Sequence, residues 1–214
     1  MLITCWSSKG GSGTTVVAAA LAHLLAAEAG GALLVDLGGD LPAALGLPEP
    51  HEGLTGWDEG VDLNRLFVEA GPGLRLVPRG PGPLVDGSGL AAALGGQGTV
   101  VVDAGVLSAG GVGLELALAA TTSLLVVRPC FLALRRAVAA PLRPSGVVLV
   151  EEPHRALGRS DVEAALGIPV VAVVPWDPAV ARRVDAGLLG TSLPRTMARA
   201  LRPSWGRGYP WGRG

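Results

Sequence analysis

A lysine, three glycines and two threonines stand together as Lys9-Gly10-Gly11-Ser12-Gly13-Thr14-Thr15. Glycine reaches positive φ without a Cβ clash, so Gly10, Gly11 and Gly13 let backbone N–H groups converge, and a helix starting behind them aims its positive end at the same point. The chemistry that suits this arrangement is phosphate binding. A hydroxyl one turn into that helix, Thr15, is placed to ligate Mg²⁺, and Asp103, ending the apolar run "TVVVD", is placed to hold a magnesium shell through water. A glycine cluster alone is equally well a tight strand-to-helix turn. Lys9, Thr15 and Asp103 together favour the phosphate.

Lys9 is the only lysine among seventeen basic residues, the rest being arginine. A compact ammonium inside the glycine loop therefore points to a role. A dinucleotide-binding loop is the competing reading, and Asp36 sits about 20 residues past the loop where a ribose-binding acid belongs. That reading lacks its third glycine and leaves Lys9 and Asp103 unexplained. Ser7, Ser8 and Ser12 have no histidine and acid ordered around them as a triad requires, so hydrogen bonding within the loop is their better assignment. His23, His51 and His154 share no metal-binding spacing.

These residues need elements to carry them. The chain has 214 residues, 49% apolar and 4% aromatic, which fits one globular α/β domain with an aliphatic core. Apolar runs at 2–6, 32–36, 99–103, 123–127 and 146–150, with "LRLVP" and "PVVAVVP", read as strands. Helical segments separate them, including "VDLNRLFVEA" in the Pro/Gly-rich stretch from Pro42 to Gly89. Near-continuous Val/Leu strands alternating with helices predict a mainly parallel sheet covered on both faces. Ligands bind such sheets at the carboxyl ends of the strands, where the glycine loop, Asp36, Asp103 and "PWDP" all fall. Cys5 and Cys130 lie too far apart for a CxxC motif, which argues against a disulfide framework or a metal cluster and for a cytoplasmic protein. No stretch of about 18 clean apolar residues predicts a membrane span.

"SKGGSGTT" resembles the deviant Walker A loop, KGGxGK[ST], of the MinD/ParA group of P-loop ATPases, which includes CpaE-like proteins. The resemblance continues through "LLVDLGGDLPAALGL", "VVVDAGVLSAG", "AATTSLLVVRPCFLALRRA" and "GIPVVAVVPWDPAVARRVDAG", in order along nearly the whole chain. It implies a three-layer P-loop NTPase-like fold binding ATP and Mg²⁺. Lys9 would reach across a homodimer to the partner's ATP. The loop from Gly10 through Gly11, Ser12, Gly13 and Thr14 to Thr15 would cradle the phosphates. Thr15 and Asp103 would serve the metal, and the loop around Pro175 and Asp177 would touch adenine.

The departures from the family pattern are equally specific. Thr14 stands where the family has a phosphate-contacting lysine. Gly38 stands where it has a catalytic acid, with Asp40 two residues on as a substitute. Asp103-Ala104-Gly105 lacks a proline, and Glu151 and Glu152 replace an adenine-recognising asparagine. Losing one charge-assisted phosphate contact costs about 1.5 to 3 kcal/mol, on the order of 10- to 100-fold in affinity. The expectation is an ATP-binding switch with weak or absent hydrolysis that dimerises with nucleotide to position or partition a cargo. The alternative is a non-hydrolysing scaffold that positions a protein partner.

Charge is uneven behind a net −1: residues 182–214 carry seven arginines against Asp185 alone. That end is either a solvated helix face with a frayed tail or a polyanion contact, and the resemblance to ParA proteins implies non-specific DNA as that polyanion. Residues 1–203 are expected to form the nucleotide-binding domain and 204–214 a short tail. Trp205, Tyr209 and Trp211 in the tail suit stacking on bases or docking on protein, and equally a tail folded back on the domain.

Overall fold

The computed structural model describes residues 1–202, so the tail with Arg207, Arg213 and its three aromatics lies outside the described residues. In chain order the elements are β1 (Leu2–Ser7), α1 (Thr14–Ala29), β2 (Ala32–Asp36), α2 (Leu41–Leu45), α3 (Leu54–Asp58), a 3₁₀ turn (Leu63–Leu66), β3 (Val68–Gly71) and β4 (Leu74–Val77). There follow α4 (Gly87–Gly95), β5 (Val100–Val106), α5 (Val112–Ala119), β6 (Thr122–Val127), α6 (Phe131–Val138), β7 (Gly146–Glu151), α7 (Arg159–Leu166), β8 (Val170–Pro175), α8 (Pro178–Asp185) and α9 (Arg195–Leu201).

The strands form one eight-stranded sheet in the order β3-β4-β2-β5-β1-β6-β7-β8. Every pair is parallel except β3 with β4. Successive side chains leave opposite faces of a strand, so β1 sends Leu2 and Trp6 into one apolar core and Ile3 and Cys5 into the other. Helices cover both faces, which is why the strands read as unbroken Val/Leu runs. The core against α1 is rich in small residues, Ala18, Ala19, Ala20, Ala22 and Ala26, which let the helix lie close to the sheet.

The chain moves from β1 to one side through β2 and later returns to the other through β6. The glycine loop after β1 therefore lies between the ends of β5 and β6, at a topological switch point. Of the sequence expectations, the helix at "VDLNRLFVEA" is corrected. Asp62 accepts hydrogen bonds from its neighbour Asn64, at the backbone N–H (2.8 Å) and at Nδ2 (2.9 Å), which closes a short turn. Residues 68–71 then pair antiparallel with β4 across Gly71-Pro72-Gly73, and Arg75 lies over the Phe67 ring at 4.5 Å. No helix among the described residues is long and apolar enough to cross a membrane.

Candidate functional site

The loop from Ser8 to Gly13 is held by its own hydroxyls. Ser12 Oγ donates to the Lys9 carbonyl at 2.8 Å, Ser8 Oγ to Ala133 at 3.0 Å and Ser7 Oγ to Gly105 at 3.2 Å. What Ser12 offers an anion is therefore its amide. Gly11 (φ 76°) and Gly13 (φ 92°) adopt left-handed backbone, and Gly13 caps α1 with no side-chain acceptor for the helix. The first helical bond runs from Val17 N–H to Gly13 at 3.0 Å, so the amides of Thr14, Thr15 and Val16 have no intrahelical acceptor. Gly10 has an ordinary φ and a Cβ there would meet nothing within 4 Å, so neither backbone nor packing demands its glycine.

Beneath the loop two buried carboxylates sit side by side, since Asp36 of β2 pairs in register with Asp103 of β5. Asp36 is satisfied: Oδ1 accepts from Gly39 N–H at 2.7 Å and Oδ2 from Leu41 N–H at 3.1 Å. Asp103 is not. Its Oδ1 accepts from Gly105 N–H at 3.1 Å, while Oδ2 is buried without a hydrogen-bond partner. Burial is the main cause that pushes the Asp103 carboxyl up to about 6; the Thr15 hydroxyl and Gly105 amide pull it down, and Asp36 and Asp40 add repulsion. Burial likewise raises Asp36, against its backbone hydrogen bonds. Position 38 belongs to the same cluster, for a Cβ on Gly38 would lie 3.7 Å from Asp36 Oδ1 and 3.8 Å from Asp103 Oδ2. Asp40, exposed at the start of α2, lines the cleft above the loop.

Two adjoining cavities open beside the glycine loop, apart from a third, of about 330 Å³, between Asp36, His51 and Arg79. The larger, about 670 Å³, lies over Gly10 to Val16 and reaches Gly38, Asp40 and Gly105. The smaller, about 260 Å³, is mostly apolar and is walled by Val150, Val174, Pro175, Trp176, Val180 and Met197. They share Gly13, Val16, Arg128, Val184 and Asp185. Pro175 and Asp177 do line the smaller cavity. The Asp177 carboxylate, however, caps α8 by accepting from Ala179 N–H at 2.8 Å and takes the Thr196 hydroxyl at 2.6 Å, which holds it below the usual carboxylate range. Lys9 lies at the rim, its Nζ 3.4 Å from the Gly10 carbonyl, and lines neither cavity.

Residues 3–189 match the family model of the CobQ/CobB/MinD/ParA nucleotide binding domain. The chain belongs to this family. No curated protein is a significant sequence match. Among solved structures, the fold is similar to a ParA family ATPase from Chlorobium tepidum TLS, with a TM-score of 0.76 at 19% identity, covering 94% of this chain and 96% of that one. It is similar to the septum site-determining protein MinD, complexed with Mg-ADP, from Pyrococcus horikoshii OT3, with a TM-score of 0.76 at 21% identity over 94% and 92% of the two chains. A third is the cell division ATPase MinD of Pyrococcus furiosus, with a TM-score of 0.77 at 22% identity over 94% of both chains.

Within this MinD/ParA-type domain, the residues that sequence reasoning missed lie mostly at the smaller cavity: Trp176, Val184, Asp185, Met197 and above all Arg128. Arg128 Nη1 donates to Glu152 Oε1 at 2.7 Å, a pairing made between the ends of neighbouring strands 24 residues apart. No local pattern could have announced it. Cys5 and Cys130 are both free, and Cys5 is buried beside Asp103, which together raise its thiol far above the ordinary range.

Proposed function

We propose that this protein is an ATP-binding switch of the MinD/ParA type, with weak or absent hydrolysis, that forms a nucleotide-dependent homodimer to position or partition a cargo. The observation that carries the reading is the orphaned Oδ2 of Asp103 beside the Thr15 hydroxyl, below a loop whose amides converge on open space. An acceptor of that kind suits a magnesium shell, so the residues present fit Mg²⁺, with Thr15 and Asp103 to hold it. When bound, the ion supplies positive charge against the phosphates. Gly10 to Thr15 would take the phosphate chain and the cavity at Pro175 and Trp176 the adenine.

Slow turnover follows from what is missing. Hydrolysis depends on stabilising charge that develops at the γ-phosphate, and the loop presents Thr14 where a cation would serve. The acid that would orient water is absent at Gly38, leaving Asp40 as its substitute. An adjacent subunit would add Lys9, whose rim position and absence from both cavities favour a role in trans. Non-specific DNA held by Arg182, Arg183, Arg195, Arg199 and Arg202 is a compatible contact, four of these being well exposed. A scaffold for a protein partner is the second reading, favoured by the same losses at Thr14 and Gly38.

Calorimetry with Mg-ATP and sedimentation with ATP, ADP and no nucleotide test both readings. Binding at micromolar to high-micromolar ATP is expected, with a dimer in ATP that Lys9→Ala abolishes while keeping most of the monomer's affinity. No binding at millimolar ATP would sink the switch and leave the scaffold. A mass indifferent to nucleotide and to Lys9→Ala would remove the dimer.

A further inference from the structure

Arg128 is the one cation among the described residues that line the loop cleft or the apolar cavity, and it lines both. It leaves the carboxyl end of β6 with one edge of its guanidinium fixed, Nη1 on Glu152 Oε1 at 2.7 Å. Arg155 Nε donates to the other carboxylate oxygen at 2.6 Å, so Glu152 is held between two arginines. The Arg128 Nε is buried without a hydrogen-bond partner, while the side chain as a whole is 41% exposed, so the guanidinium still reaches the cleft. A buried donor left unpaired is costly, and here its position is the junction of a polar, amide-lined cleft with an apolar cavity.

We propose that Arg128, positioned by Glu152, binds the sugar-proximal phosphates of a nucleoside di- or triphosphate, returning the charge that position 14 lacks. The inference rests on reading the two cavities as the phosphate and base halves of one nucleotide site. A ligand spanning them must pass its sugar and first phosphate through the shared wall of Gly13, Val16, Arg128, Val184 and Asp185. Of the two charged groups there, Asp185 repels phosphate and suits a ribose hydroxyl, which leaves the anion to Arg128. Arginine rather than lysine fits the task, since its planar fork can hold a carboxylate on one edge and a phosphate on the other.

Calorimetric titration of the full chain with Mg-ATP and Mg-ADP at two salt concentrations decides it, comparing wild type with Arg128→Met, Arg128→Lys and Glu152→Gln. Arg128→Met is expected to weaken ATP and ADP alike, roughly 10- to 100-fold, and to flatten the salt dependence of ADP affinity. Arg128→Lys should recover part of the affinity and all of the salt dependence. Glu152→Gln should lose affinity with the salt dependence kept, since the charge stays but its anchor is weakened. A structural role alone would not change the salt slope. Unchanged ADP affinity in Arg128→Met, or a loss confined to ATP, would overturn the assignment while the nucleotide reading stands. A wild type that binds neither nucleotide would overturn both.

Discussion

At the loop end of the site the polar groups are set by backbone: left-handed Gly11 and Gly13, three helix amides without acceptors, and two acids locked in register on adjacent strands. At the apolar cavity they are set by side chains, with a half-exposed Trp176, a capped Asp177 and an arginine clasped by Glu152. The contrast explains why the residue at position 14 need not decide the shape of the loop. Backbone amides survive a side-chain exchange at Thr14, whereas the apolar end depends on each side chain it has. The sharpest way to break the comparison is at the seam that joins the two halves. A Cβ on Gly46, which ends α2 at φ 72°, would lie 2.3 Å from the carbonyl oxygen of Gly187 behind α8. Neither backbone can yield, so Gly46→Ala should cost about 2 to 4 kcal/mol, read as a lower urea midpoint. An unchanged midpoint would mean the halves are not joined there.

Next in size is Asp103, where the loop end stores its unfavourable charge. Its folded carboxyl, at about 6 against an ordinary 3.8, binds a proton more tightly than the unfolded chain does. The contribution of Asp103 to the unliganded protein's stability is therefore fully present below the lower value and is lost as pH rises through about 6. Asp103→Asn keeps an oxygen for the Gly105 amide and removes the charge. It should stabilise the unliganded protein at pH 8 by on the order of 2 to 3 kcal/mol and change little at pH 4. Urea unfolding at the two pH values checks this, and a destabilised variant at pH 8 would show that Oδ2 has a partner. In nucleotide binding the same exchange should be harmful, which is the mark of a functional strain rather than a packing choice.

Thr14→Lys tests the loop end from the other side. Thr14 is buried at the first turn of α1 and lines the larger cleft, so a lysine there would project toward the phosphates. ATP affinity should rise about 10- to 100-fold in calorimetry, with turnover still slow while Gly38 remains. No change would place the phosphates elsewhere.

The same division decides what the sequence could disclose. The strand, glycines and Thr15 are contiguous, so the loop end is legible as a local pattern, and Asp103 follows because an apolar strand ending in an acid is also local. The parallel sheet is legible for the same reason, each strand announcing itself by its own composition. Arg128 and Glu152 meet only because β6 and β7 are neighbours, and Trp176 becomes a wall only when α8 and α9 bring Val180 and Met197 to the same cavity. Asp177 was visible as part of "PWDP", yet its carboxylate is spent on Ala179 and Thr196, the second of which lies 19 residues on. The segment at 61–70 misled because Leu63, Leu66 and Phe67 are spaced at i, i+3 and i+4 as on a helix face, until Asp62 closes a turn on Asn64.

The smallest expected effect belongs to Trp176, and it separates the two ends most cleanly. The residue is 54% exposed and lines the apolar cavity, with its backbone fixed by a 2.8 Å bond from its N–H to the Glu151 carbonyl. Stacking of a base on an aromatic ring is worth about 1 to 3 kcal/mol, and a ring this open to water should give the lower end, roughly fivefold in affinity. Trp176→Ala should therefore weaken ATP and ADP equally by about that factor, leaving the salt dependence as in wild type, because no charge is touched. The fold should be unaffected, since the side chain covers no closed core. Calorimetry beside the Arg128 series makes the comparison: one variant shifts affinity at constant salt slope, the other shifts both. If Trp176→Ala flattens the slope, or costs nothing, the apolar cavity is not where the base lies, and the phosphate end alone would carry recognition.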